Sequence, residues 1–380
     1  GSMFIKPGYY PVDILEFTPG RKTLQTYAFD GGISYDVADG WRIGAMMDFA
    51  SANMAKRKDL RHSNWRPDMT VSPGFMYHRG DFAIGANYIL RKTSESVEAK
   101  QVGIAESSYN AFLDKGLMYG IYSIWTGSGL HIEEDGVKGF PVKDLSHGAA
   151  LQAQYKGLFA EVEYLHTSGT IGEKEFLFPG NSVDVRLGYK HQGHFARLDF
   201  GWKAGALDET VLEKVTVGGV TTVIGHGQNR IQTHSGWSLK PEYEYVSEKV
   251  EVLASANVEN HMETASQMYP YVSAQSLMKY GADVRVKTYM GPFDLAVKAG
   301  YAGGKVSEED WITSEDSGVQ TSPYRLQEWY DRQMEYETAR RMSLGLSLRW
   351  NFWKGLYAEA ECSWLHGFDL KYISSPNRYK

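Results

Sequence analysis

The stretch Asp283 to Tyr301 reads DVRVKTYMGPFDLAVKAGY, and its pattern narrows the fold more than any other feature of the chain. Val284, Val286 and Thr288 before a Met290-Gly291-Pro292 turn, and Phe293, Leu295, Val297, Ala299 and Tyr301 after it, take every second position. Asp283, Arg285, Lys287, Asp294 and Lys298 fill the alternate ones. A strand sends successive side chains to opposite faces, so this is a hairpin with one apolar and one charged face. The same pattern recurs around turns at Ala38-Asp39-Gly40, His78-Arg79-Gly80, Lys156-Gly157, His191-Gln192-Gly193, Ser247-Glu248 and Trp353-Lys354-Gly355. Seven hairpins predict about fourteen strands.

The segments between hairpins are long and polar, roughly 50–68, 91–147, 165–181, 203–233, 259–278 and 302–340. Short turns at one end and long loops at the other predict a transmembrane up-and-down antiparallel β-barrel of fourteen to sixteen strands, with periplasmic turns and extracellular loops. A soluble sandwich alternates as well, but needs neither this asymmetry nor aromatics gathered at two levels. Tyr77, Tyr189, Tyr245 and Tyr289 precede turns, and Trp41, Phe82, Phe195 and Phe293 follow them, as a lower membrane girdle would; Trp350 flanks the last turn. Phe49, Trp202, Tyr301 and Trp364 form a second set about eight residues further on, which is roughly 20 Å at 3.3 Å per residue and a 40° tilt.

Composition agrees. Mean hydropathy is −0.40, and no run of about 18 apolar residues could cross a membrane as a helix. A net charge of −6 argues against a nucleic-acid partner. The single cysteine, Cys362, excludes a disulfide framework and falls on the apolar, lipid-facing parity. Residues 1–21 contain Pro7, Pro11 and Pro19 and are expected to be a loop or inserted segment, with the barrel over 22–369 and a final loop begun at 370–380. Leu326 to Met342 suits either a short amphipathic helix or a strand extension, and the apolar stretch Gly116 to Trp125 either a loop or an added piece of sheet. With the turns periplasmic, both ends of the chain fall outside the cell, so a strand before residue 1 and another after residue 380 are expected.

The alternate face is charged along its length. The candidate lumen residues are Arg42 in the first hairpin, Glu161 and Glu163 in the third, and Asp184, Arg186, Arg197 and Asp199 in the fourth. Lys240, Glu242 and Glu251 follow in the fifth, Asp283, Arg285, Lys287, Asp294 and Lys298 in the sixth, and Arg349, Glu359 and Glu361 in the seventh. Both signs on adjoining strands suit a polar conduit, and suit equally a lumen closed by cross-strand ion pairs.

Catalytic and metal patterns are weak. His166, His261 and His366 lie near upper strand ends, with Ser168 and Ser363 beside two of them, but no spacing converges on a nucleophile, base and orienting group. His191 with His194, and His226 with His234, read as solvated histidines rather than ligands, and Gly218-Gly219 and Gly303-Gly304 lack the strand-to-helix setting of a phosphate loop. No metal, cofactor or enzymatic activity is expected.

The opening GYYPVDILEFTPGRKTLQTY (Gly8 to Tyr27) and the recurring turn-plus-aromatic hairpins resemble an uncharacterised family of outer-membrane β-barrel proteins of Bacteroidota. The resemblance implies the bacterial outer membrane as location, its lipid and lipopolysaccharide as surroundings, and a TonB-dependent transporter or surface lipoprotein as partner. The expected function is a transport-associated channel or uptake component with a charged lumen. The alternatives are a structural or interaction subunit of an outer-membrane complex and, behind it, an outer-membrane hydrolase.

Overall fold

The computed structural model describes residues 1–102, 109–115, 123–126, 131–266, 272–312 and 326–371. Runs of alternating β-branched and aromatic residues become long strands. In order these are β1 (Asp13–Leu15), β2 (Lys22–Ala38), β3 (Trp41–Lys56), β4 (Arg61–Arg79), β5 (Phe82–Lys100), β6 (Asn110–Asp114), β7 (Ser123–Thr126), β8 (Ile132–Glu133) and β9 (Gly136–Tyr155). They continue with β10 (Leu158–Ile171), β11 (Phe176–His191), β12 (His194–Val217), β13 (Val220–Val246), β14 (Val250–Ser266), β15 (Val272–Met290), β16 (Phe293–Ile312), β17 (Arg341–Trp353) and β18 (Leu356–Gly367), with helix α1 (Leu326–Thr338) before β17.

One antiparallel sheet runs β18-β17-β16-β15-β14-β13-β12-β11-β10-β9-β5-β4-β3-β2, with β8 added on β9, while β1, β6 and β7 make a separate three-stranded sheet. The main sheet is thus built from the fourteen expected strands. Among the described residues it is open, β2 and β18 each pairing along one edge only. Tight turns need left-handed backbone, and Gly40 (φ +76°) supplies it between β2 and β3, where a Cβ would come within 2.5 Å of the His78 carbonyl oxygen.

The opposite end differs from expectation. The described parts of 50–68, 165–181, 203–233 and 259–278 are largely strand, and the links there include only 57–60, 172–175 and 218–219. The ladder continues past the level where the sequence turns polar, because strand pairing asks only for backbone partners and β-compatible side chains. β12 and β13 reach furthest. β11 follows β12 only to Glu209, and β14 follows β13 only from Gln232, so the ribbon closed by Gly218-Gly219 projects beyond its neighbours. Of the apolar stretch 116–125, only Ser123 to Trp125 are described, in β7.

Residues 1–21 do not run over the surface. Met3, Phe4, Tyr10, Val12 and Ile14 pack with Ala111 and Leu113 of β6 and with Val97, Phe140, Val142, Ile171, Phe176 and Leu207 of the main sheet in one buried core. This plug lies on one face of the sheet, at the end away from the short turns. α1 lies on the same face over β15 and β16, Met334 packing on Leu277 and Val306; of the two expectations for this segment, the helix is the one formed.

Register sorts the side chains. Glu161 stands opposite Arg186, Arg186 opposite Asp199, Glu242 opposite Arg197, Glu251 opposite Lys287, Arg285 opposite Lys298, and Asp294 and Glu359 opposite Arg349. With strict alternation, these pairings put all eighteen charged positions on the plug face. Two girdle residues are misplaced. Phe195 is two residues from Arg197, and Tyr289 two from Lys287, so both belong to the plug face; the Tyr289 hydroxyl donates to Glu251 at 3.0 Å and the Lys287 ammonium lies 4.6 Å from its ring centroid. An aromatic ring with a polar tip packs beside charged neighbours on the plug face as readily as on the opposite one, and position relative to a turn does not override parity. The other ten, Trp41, Tyr77, Phe82, Tyr189, Trp202, Tyr245, Phe293, Tyr301, Trp350 and Trp364, lie on the outer face.

Candidate functional site

The plug is seated on buried charge. Lys56 of β3 and His62 of β4 are fully buried and meet Glu16, Lys56 through an ion pair and His62 Nε2 at 3.0 Å from Oε1; Lys22 closes on the other carboxylate oxygen at 2.6 Å. Burial alone would raise the Glu16 carboxyl, but Lys22 and Lys56, with His62 adding, hold it down at about 2. Burial keeps the His62 imidazole below its ordinary value despite that carboxylate. Next to this cluster the amide of Asn64 donates to the Met3 carbonyl (2.6 Å), and the Ile5 N–H donates to Glu95 Oε1 (2.7 Å). Glu95 Oε2 lies 3.7 Å from Arg66 Nε and accepts no hydrogen bond. Burial therefore wins, and the Glu95 carboxyl rises to about 7.

Nearer the short turns the plug face carries the charged ladder. Gln152 donates to Glu161 at 2.7 Å, Arg186 bridges Glu161 (3.0 Å) and Asp199 (3.3 Å), and Arg197 pairs with Asp199. Further along, Lys298 approaches Asp283 at 3.8 Å and Lys287 approaches Asp294 at 3.9 Å. Over β2 to β5 the same face carries smaller groups, and Gly32, Gly44, Gly74 and Gly85 help line a hollow of about 540 Å³ that Asp30 and Arg42 also border. So the face has a plugged end, a charged stretch nearer the short turns and a hollow over β2 to β5.

The predicted histidine and serine candidates separate. His261 sits beside Glu263 (3.4 Å). His366 stacks on Trp364, while Ser363, three residues away, takes the opposite face. His191 stacks on Tyr189, and His194 meets the Tyr243 hydroxyl at 2.7 Å. His234 packs on Gly205, and the side chain of His226 lies outside the described residues. Among the described residues, no group of three or more His, Cys, Asp or Glu side chains could hold a metal ion.

His166 and Ser168 do come together, on the outer face of β10. The Ser168 hydroxyl lies 3.5 Å from His166 Nε2, and His166 Nδ1 lies 3.0 Å from Asn181 Oδ1 on β11, which also accepts from the Tyr164 hydroxyl at 2.8 Å. Asn181 was invisible in the sequence because its link to His166 comes from strand register, the two being direct ladder partners.

Residues 9–378 match a family described only as being of unknown function, DUF6850. The chain belongs to DUF6850. No curated protein and no solved structure matches it. The DUF6850 span takes in the plug from Tyr9 onward, every strand of the main sheet and the His166 cluster.

Proposed function

We propose that this DUF6850 chain is an integral outer-membrane β-barrel whose polar interior is shut at the loop end by its own N-terminal plug, serving as a structural and interaction subunit rather than an open pore. The membrane placement is supported by the outer face, where Leu151, Val162, Leu187, Val286, Val297, Leu346 and Leu348 are all more than 36% exposed while the eighteen charged positions named above lie on the other face. That is the reverse of a soluble sheet and the pattern of a lipid-facing one. Fourteen strands is an even number, so β2 and β18 can meet antiparallel, as hydrocarbon demands of every backbone edge.

The observation that carries the closed reading is the plug's apolar core. Uncovering even Val12, Ile14, Leu113 and Phe140, all fully buried, costs roughly 6–12 kcal/mol at about 1.5–3 kcal/mol each. Spontaneous opening then reaches fewer than about one molecule in ten thousand. A second reading, a transport-associated uptake component whose plug a partner displaces, is favoured by the buried polar seat of Lys56, His62, Arg66 and Glu95, which water can resolvate. A TonB-dependent transporter or surface lipoprotein would then dock on the strand ends beyond the plug.

Planar-bilayer recording tests the proposal. The whole chain should be silent, and a chain lacking residues 2–20 should show discrete conductance. Steady conductance from the whole chain would reject closure, and failure to float with lipid vesicles would reject the membrane placement.

A further inference from the structure

Ser168, His166 and Asn181 stand in line on the outer face, each within hydrogen-bond reach of the next. Asn181 Oδ1 can only accept, so His166 places its proton on Nδ1 and turns the Nε2 lone pair to Ser168. That is the tautomer a general base needs, set by a neutral orienting amide in place of a carboxylate. The 3.5 Å gap between Ser168 and His166 is at the long end, as is common before substrate binds. Ser168 itself is exposed.

The height of this group on the sheet identifies its substrate. His166 lies eight residues beyond Leu158, the first residue of β10; Trp202, Tyr301 and Trp364 each lie eight residues beyond the first residue of β12, β16 and β18. The cluster is therefore level with the upper aromatic set, where lipid ester carbonyls sit. One ladder step across from Ser168 is Leu145, and one further is Lys92; Lys143 stands opposite Thr170, two residues above Ser168. Both lysines are exposed on the outer face, placed for a headgroup phosphate. The ladder also opens beside the site: Pro179, opposite Ser168, has no N–H, and neither Phe178 nor Pro179 pairs with β12.

We propose that Ser168, His166 and Asn181 form a serine hydrolase site that cleaves acyl esters of phospholipids at the outer membrane interface. This rests on the membrane placement proposed above and departs from the expectation of a non-enzyme. Ser168 Oγ attacks the ester carbonyl while its proton passes to His166 Nε2. His166 then gives that proton to the departing glycerol oxygen as the ester C–O bond breaks, leaving an acyl-Ser168. Water, deprotonated by His166, attacks the acyl carbon, and the Ser168 oxygen leaves and is reprotonated, releasing the fatty acid. His147, opposite His166 with ring centroids 5.6 Å apart, supplies an N–H toward the developing oxyanion. Asn181 is a positioning residue.

The test uses the whole chain in mixed micelles of dioleoylphosphatidylcholine, with oleate release as readout and a fluorophosphonate probe mapped by peptide mass. Wild type should release oleate and carry the label on Ser168. Ser168→Ala should lose at least about 10³-fold in rate and all labelling. Asn181→Ala should lose about 10–10²-fold in kcat with KM little changed, and shift the pH profile of the rate. Folded wild type that neither releases oleate nor takes the label overturns the proposal, as does Ser168→Ala with wild-type rate. Vesicle flotation keeps the two readings apart: flotation without turnover or label rejects the hydrolase alone. Hydrolysis of soluble p-nitrophenyl butyrate that depends on Ser168, without flotation, rejects the membrane placement and with it the lipid substrate.

Discussion

Replacing Glu95 with glutamine should tighten the plug above neutral pH, although Glu95 faces an arginine. Its carboxylate is fully buried, and Arg66 Nε stands 3.7 Å from an oxygen that accepts no hydrogen bond. Burial outweighs both Arg66 and the Ile5 N–H and lifts the carboxyl from 4.5 to about 7. A carboxyl raised on docking binds its proton more tightly in the docked state. Its contribution is then complete below about pH 4.5 and lost as pH rises to 7. Fully ionised, Glu95 costs docking about 3 kcal/mol. Glutamine keeps the acceptor for Ile5 and never ionises. Hydrogen exchange at the Ile5 amide, corrected for intrinsic rate, reads the effect. At pH 8 the variant should exchange about 10²-fold more slowly than wild type, and at pH 5 the two should agree within a few-fold. Faster exchange of Glu95→Gln at pH 8 would mean that the Arg66 pair outweighs burial, and the reasoning would be wrong.

Glu16 behaves with the opposite sign. Its carboxyl is held at about 2, so its contribution is present above pH 4.5 and disappears as pH falls toward 2. Glu16→Gln should leave Lys56 buried without its counter-charge and cost plug docking about 3–5 kcal/mol, seen as faster proteolysis within residues 2–20; Glu16→Met with Lys56→Met should recover most of it. At Gly74 a Cβ would lie 2.7 Å from the Ala86 carbonyl oxygen, so Gly74→Ala should destabilise the β4–β5 pairing by about 1–3 kcal/mol, measured as a lower midpoint of thermal unfolding in detergent. Residues 211–228 project past both neighbouring strands, so replacing them with a two-glycine turn should leave far-ultraviolet circular dichroism and that midpoint within about 0.5 kcal/mol of wild type. A collapse of the sheet would show that the ribbon is needed for folding.

Period-two alternation was legible because it is local. It placed Arg186, Arg285, Arg349 and the other charges on one face without knowledge of the partners they meet. Tyr289 and Phe195 share the parity of Lys287 and Arg197, and nearness to a turn carries no information about which face a side chain takes. The ribbon around Gly218-Gly219 also had its signal, two β-branched runs flanking a two-glycine turn, masked by the polar residues between them. The plug had none. Ile5 and Glu95, or Met3 and Asn64, meet only because the sheet brings distant strands under the first twenty residues, and no local pattern encodes that. Asn181 escaped for the same reason: its distance in sequence from His166 says nothing until β10 and β11 are paired.

The plug also dictates an order of assembly. Its core draws on Val97, Phe140, Ile171, Phe176, Leu207 and Ile231, so the first twenty residues have nowhere to bury until more than half of the chain is paired into sheet. Such distant contacts carry a large loop-closure cost and form late. A segment that precedes every strand of the main sheet must settle among the last, its Met3, Phe4, Val12 and Ile14 exposed until then. A holding chaperone should therefore act on this N-terminal stretch, and slow pairing of β12 with β13 should prolong its exposure more than any defect in β17 or β18.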